Sequence, residues 1–93
     1  MHLAVLSLKF HLPGCDSLKE KRRRLRGLQD KFGRITNIAA SEADFHDQHQ
    51  QAEWHFAVMS NDKTIVEQQM AGIENYAATE LDAVVERAQR EWL

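Results

Sequence analysis

LDAVVERAQREW, residues 81–92, admits two secondary structures, and the choice between them sets the architecture. Leu81, Val84, Val85, Ala88 and Trp92 recur at helical spacing, and its Ala, Glu, Arg and Gln residues favour a helix. Local pattern alone therefore describes a helix and leaves strand or helix open over 81–92. Its place in the chain describes a strand, and that reading depends on what comes before it.

Working back from there, Val66, Met70, Ile73 and Ala77 mark an amphipathic helix, which Asn61-Asp62 can cap. Before it, Ile35 to Ala43 and Ala52 to Ser60 read as two strands joined by the polar stretch 44–51, the second with Ala52, Trp54, Phe56 and Val58 on one face. At the start of the chain, Ala4, Leu6, Leu8, Phe10 and Leu12 alternate with Val5, Ser7, Lys9 and His11, the period of two of a half-buried strand that Pro13-Gly14 ends. Ser17 and Glu20 form a capping box, and Leu18, Leu25, Leu28 and Phe32 then carry a helix over 18–32 to Gly33. The order is β-α-β-β-α followed by 81–92. A last strand covers the free edge of the first, and helix propensity is too weak a preference to outweigh that. The expected fold is α+β: a ferredoxin-like βαββαβ two-layer sandwich, its antiparallel sheet carrying both helices on one face.

At 93 residues the chain is long enough for one hydrophobic core and too short for two, so a single domain over 1–93 is expected. Hydrophobic residues make up 43%, which separates the chain from disordered sequences. Met1 runs directly into His2-Leu3-Ala4-Val5-Leu6 with no basic region before it and no cleavage site after it, and no apolar run is long enough to span a bilayer. Cys15 is the only cysteine, so an intramolecular disulfide is excluded. A soluble, cytoplasmic protein with no membrane role is the expectation.

The formal net charge of -2 conceals a strong asymmetry. Between Lys19 and Arg34 eight basic residues face two acidic ones, a net +6, and the remainder of the chain carries -8. The positive field is concentrated in one helix.

Leu12-Pro13-Gly14, Ser17-Leu18-Lys19-Glu20-Lys21-Arg22 with Leu25, then Asn37, Glu42, Asp47, Gln50, Ser60-Asn61-Asp62 and Glu91-Trp92-Leu93 span nearly the whole chain. Together they resemble the YlxP-like family of small, uncharacterised bacterial proteins. The resemblance implies a ferredoxin-like fold and, in some bacteria, a gene neighbourhood of translation and ribosome-maturation factors. It implies no catalytic residues. The chain departs from that family at His49-Gln50-Gln51, where Trp-Gln-Arg is usual, so neither a stacking indole nor a guanidinium is available there.

Little in the sequence suggests catalysis. His46, Asp47 and His49, with His11, His55 and Cys15, offer metal-ligand types, but two histidines three apart in a polar loop read first as exposed turn residues. Cys15 beside a helix N-terminus and Lys19 lacks any nucleophile motif around it. Glu42 and Asp44 have no evident pocket, and no phosphate-binding glycine loop is present. No metal, cofactor or catalytic residue is assigned, and binding is expected in place of an enzymatic role.

The basic helix carries the main functional expectation. Its apolar stripe centres on Leu18, Leu25, Leu28 and Phe32, so Lys19, Arg23 and Arg26 face solvent, flanked by Arg24 and Lys31. Cations in the first turn oppose the helix dipole and one another. Lys19, Arg22, Arg23 and Arg26 are candidate contacts to RNA or a ribosome, made to phosphates and not to base sequence. The open sheet face, with Leu3, Val5, Ala39, Ala43, Ala57 and Met59, offers the alternative of a protein-interaction surface, most simply a homodimer. Topology gathers Pro13 to Ser17, the start of the first helix, Glu42 and the 44–51 loop at one pole. There Lys21 falls within the apolar stripe and Glu42 on the strand face of Ile38 and Ala40, which predicts an ion pair between them, joined by Arg22 or Asp44. Asp47, His49 and Gln50 are the candidate rim of a ligand site beside Lys19 and Arg22.

Overall fold

The computed structural model describes every residue from Met1 to Leu93. Six elements follow one another: β1 (His2–His11), α1 (Leu18–Phe32), β2 (Ile38–Asp44), β3 (Gln51–Ser60), α2 (Lys63–Thr79) and β4 (Val84–Trp92). The strands form one antiparallel sheet in the order β2-β3-β1-β4. Both helices cover the same face, which makes a ferredoxin-like α+β sandwich.

The period of two in β1 is what builds the core. Ala4, Leu6, Leu8, Phe10 and Leu12 are fully buried, and Ala52, Phe56 and Val58 lie beside them on β3. From above, α1 contributes Leu25, Leu28 and Phe32, and α2 contributes Val66, Met70, Ile73 and Ala77. Each fully buried Leu, Phe, Ile or Met among these contributes about 1.5–3 kcal/mol through removal from water. Asp62 caps α2 by accepting a hydrogen bond from the Thr64 N–H at 2.9 Å.

Residues 84–92 are a strand in spite of their helical spacing. β4 pairs with β1 from Ala4 opposite Trp92 to His11 opposite Val84, and nearly all of its side chains are exposed. Backbone pairing along the edge of β1, more than side-chain burial, holds it there. A few tenths of a kcal/mol of helix preference per residue do not compete with a full ladder of hydrogen bonds. A bulge at Lys9/Phe10 leaves Glu86 as the extra residue.

The second strand is shorter than its pattern suggests: in place of Ile35–Ala43, β2 begins at Ile38. Ile35 donates its N–H to Phe32 O at 3.3 Å, and Ile38 donates to Ile35 O at 3.1 Å, so tight turns after α1 occupy 33–37. Asn37 is anchored by its side chain to Met59 O at 3.1 Å and to Gln69 on α2.

Candidate functional site

Ser17 starts α1 by accepting the Glu20 N–H at 3.1 Å, while Glu20 Oε2 accepts from the Asp16 N–H at 3.4 Å, one residue before the expected cap partner. The buried stripe is Lys21, Leu25, Leu28 and Phe32, at i, i+4, i+7 and i+11. The opposite side therefore presents Lys19, Arg22, Arg23 and Arg26, all exposed, at i, i+3, i+4 and i+7 of a second stripe. Arg23 lies 3.6 Å from Glu20, whereas Lys19, Arg22 and Arg26 make no ion pair.

Arg24 is not solvent-facing as its helical position predicts. Its side chain is only 9% exposed, because it turns back over the start of the helix. Its guanidinium donates to Pro13 O at 2.8 Å and to Glu20 Oε1 at 2.9 Å, and Nε stands 3.5 Å from Asp82. It thus joins the end of β1, the first turn of α1 and the turn before β4. The Arg24 hydrogen bond, then the Asp16 N–H, hold the Glu20 carboxyl below the usual carboxylate range.

The structure brings Lys21 and Glu42 together. Lys21 Nζ is 3.1 Å from Glu42 Oε2 and donates to Phe45 O at 2.7 Å. Phe45 sits at φ 62°, a left-handed conformation that is uncommon for a bulky residue. Asp44 Oδ1 accepts the Phe45 N–H at 2.7 Å, so its carboxylate serves the turn instead of the ion pair, and Arg22 does not join either. With Lys9 Nζ 5.3 Å from the Phe45 ring centre, the loop is held from both faces of the sheet.

Beside this pair, a groove of about 520 Å³ opens between α1 and the β2–β3 edge. Leu18, Leu25 and Trp54 form its apolar wall, with Lys21 and Glu42 in its lining and Arg22 and Arg26 on the α1 side. Gln29, Asp30 and His46 complete it. Trp54 is the cross-strand neighbour of Glu42 and stacks on Phe56 with ring centres 6.2 Å apart. Its indole Nε1–H is buried without an acceptor. The sequence marks Trp54 only as a core position, although a charged Glu42 on the same strand face is a sign that this part of the layer is not sealed.

Asp47, His49 and Gln50 line a different hollow of about 550 Å³ with Cys15 and Asp16. Neither Lys19 nor Arg22 borders it. His46 lines the groove beside α1 instead, and nowhere do three His, Cys, Asp or Glu side chains converge. Cys15 is buried, its thiol donating to Ser17 O at 3.4 Å. On the outer sheet face Leu3, Val5 and Ala57 are half-buried, and Ala39, Ala43 and Met59 are exposed. Apart from the exposed Val84 opposite His11, the rest of that face is mostly polar: Lys9 pairs with Glu86 at 3.1 Å, and Glu53 with His55 at 2.8 Å and Arg87 at 3.4 Å.

No helix is long and apolar enough to cross a membrane. The model of one protein family, described as a protein of unknown function (DUF503), matches residues 3–90. No curated protein matches the chain.

Proposed function

The chain belongs to the DUF503 family, and from that footing we propose that it is a cytoplasmic RNA- or ribosome-associated binding module that engages phosphates through α1. The observation that carries this reading is the stripe of Lys19, Arg22 and Arg26, exposed and without an acidic partner. Unpaired cations at this density repel one another and, in the first turn, oppose the helix dipole; a polyanion relieves both costs. The resemblance to the YlxP-like bacterial family, with its translation-factor neighbourhood, supports the same direction. The sheet does not offer the usual RNA-recognition surface, since Val5, Ser7, His55 and Ala57 on its outer face include no Phe, Tyr or Trp, and the His55 ring is held by Glu53 at 2.8 Å.

Anisotropy of a labelled single-stranded RNA across a salt series tests the reading. Neutralising three phosphates makes affinity fall by about two orders of magnitude per tenfold rise in salt. Arg22→Glu and Arg26→Glu should each lower the logarithmic slope by about 0.7. No binding at low salt, or an affinity indifferent to both reversals, ends the proposal.

A second reading, a homodimer through the outer sheet face, is supported by the contiguous register of Leu3 opposite Met59 and of Val5 opposite Ala57, itself opposite Ala39. Met59 is 47% exposed there. A single monomeric species in sedimentation at micromolar concentration removes it.

A further inference from the structure

We infer that the groove between α1 and the β2–β3 edge receives one unstacked base of a single-stranded RNA, with Trp54 as its apolar wall and Glu42 as its polar contact. This deepens the phosphate-binding reading of α1 and rests on it. At about 520 Å³ the groove lies within the ordinary size range of small-ligand sites and has room for one nucleotide unit. Arg22 and Arg26 belong to both features: they are in the exposed cationic stripe and they line the groove. A backbone running along α1 therefore passes the groove mouth, and its base has an apolar wall of Leu18, Leu25 and Trp54 to enter against.

The chemistry of the lining fits a nucleobase better than a simple anion. Glu42 Oε2 is engaged by Lys21, while Oε1 has no partner in the protein and the side chain is 29% exposed. That oxygen is an acceptor for the exocyclic amine of adenine, cytosine or guanine. Trp54 offers such a base its ring as an apolar surface, its Nε1–H being enclosed by the protein. Asp30 and Glu42 in the lining disfavour a phosphate deep in the groove, leaving phosphates to the exposed arginines. In a duplex the bases are stacked, and the A-form major groove is too narrow to be read, so base entry selects single strands.

The chain has two tryptophans, and Trp92 lies on β4 beneath Lys63, so in a Trp92→Phe variant the emission reports Trp54 alone. That variant is titrated with oligoadenylate, oligocytidylate and oligouridylate, with a duplex of matched length, and with adenosine and uridine 5′-monophosphates, while anisotropy follows labelled strands in parallel. The expected result is a Trp54 emission change that saturates together with strand binding. It should occur about tenfold more tightly for amine-bearing bases than for uridine, as a hydrogen bond to a charged group implies, and the duplex should bind more weakly without the change. Strand binding with no Trp54 response, or duplex binding of equal strength, overturns the groove inference and leaves the phosphate reading of α1 standing. A Trp54 response to monophosphates without strand binding overturns the RNA reading and makes the groove a nucleotide site. Silence in both channels at low salt overturns the two together.

Discussion

Lys21 Nζ stands 3.1 Å from Glu42 Oε2, and the two ends of this pair differ sharply in exposure: 4% for the lysine side chain, 29% for the glutamate. Losing either partner is therefore not equivalent. Glu42→Leu strands a buried ammonium with only Phe45 O for company and should cost about 3 kcal/mol or more. Lys21→Met leaves a carboxylate that water can still reach and should cost about 1–2 kcal/mol. The double variant should recover part of the larger loss, and urea unfolding of the four proteins measures it. Equal single costs with no recovery would show that the two side chains are not coupled.

Arg22→Glu should raise stability while it weakens polyanion binding. It places an acid in the first turns of α1, where the dipole favours it, and opposite Arg26 at i+4. A gain of about 0.3–1 kcal/mol in thermal unfolding is expected. A loss of that size would mean that Arg22 has a structural partner that its exposed position does not suggest.

Gly27 sits where α1 meets α2, and a Cβ added there would run into the Tyr76 hydroxyl. Tyr76 has little freedom to withdraw, with Phe32 packed edge-on at 5.4 Å and Lys31 over its ring at 5.1 Å. Overpacking outweighs the helix preference of alanine, so Gly27→Ala should destabilise by about 1 kcal/mol. In a Tyr76→Phe background the penalty should shrink, because the hydroxyl is the closest obstacle. A Gly27→Ala protein more stable than the parent would show that the ring moves aside freely.

Acid should loosen the Arg24 junction. The Glu20 carboxyl is held below its ordinary range, chiefly by the Arg24 hydrogen bond, so its unfolded form binds the proton first. Its contribution is fully present above the usual carboxylate range and is lost as pH falls through that range towards the lower folded value. Glu20→Gln should therefore flatten the acid limb of melting temperature against pH, with little change in its shape near neutrality. An acid limb identical in the two proteins would mean that Glu20 does not contribute to it.

Leu28→Ala tests the core that the helical stripe builds. Leu28 is fully buried between α1 and the sheet, and its truncation should cost about 2–5 kcal/mol in denaturant unfolding. A cost below 1 kcal/mol would mean that the layer collapses over the cavity.

Whatever depends on period and on nearest neighbours was readable from the order of residues alone. Ala4, Leu6, Leu8, Phe10 and Leu12 declare one face of β1; Val66, Met70, Ile73 and Ala77 declare one stripe of α2; Ser17 and Asp62 mark two helix starts. The misplacement of Lys21 and Glu42 in that binary pattern was legible too, because a charge at a core position stands out in one dimension. The state of residues 84–92 was legible only from the order of the elements and not from its own residues, since its local spacing is helical and the unpaired edge of β1 makes it a strand. Arg24 was read as exposed from its helical angle, yet two acceptors, Pro13 O and Glu20, and the nearby Asp82 carboxylate draw it inward from three separate segments. Trp54 became a groove wall because α1 approaches the sheet without sealing the layer at the Glu42 edge. These features arise where segments distant in the chain meet, and periodicity carries no information about such meetings: only the tertiary structure brings the donor, the acceptor and the gap between them to one place.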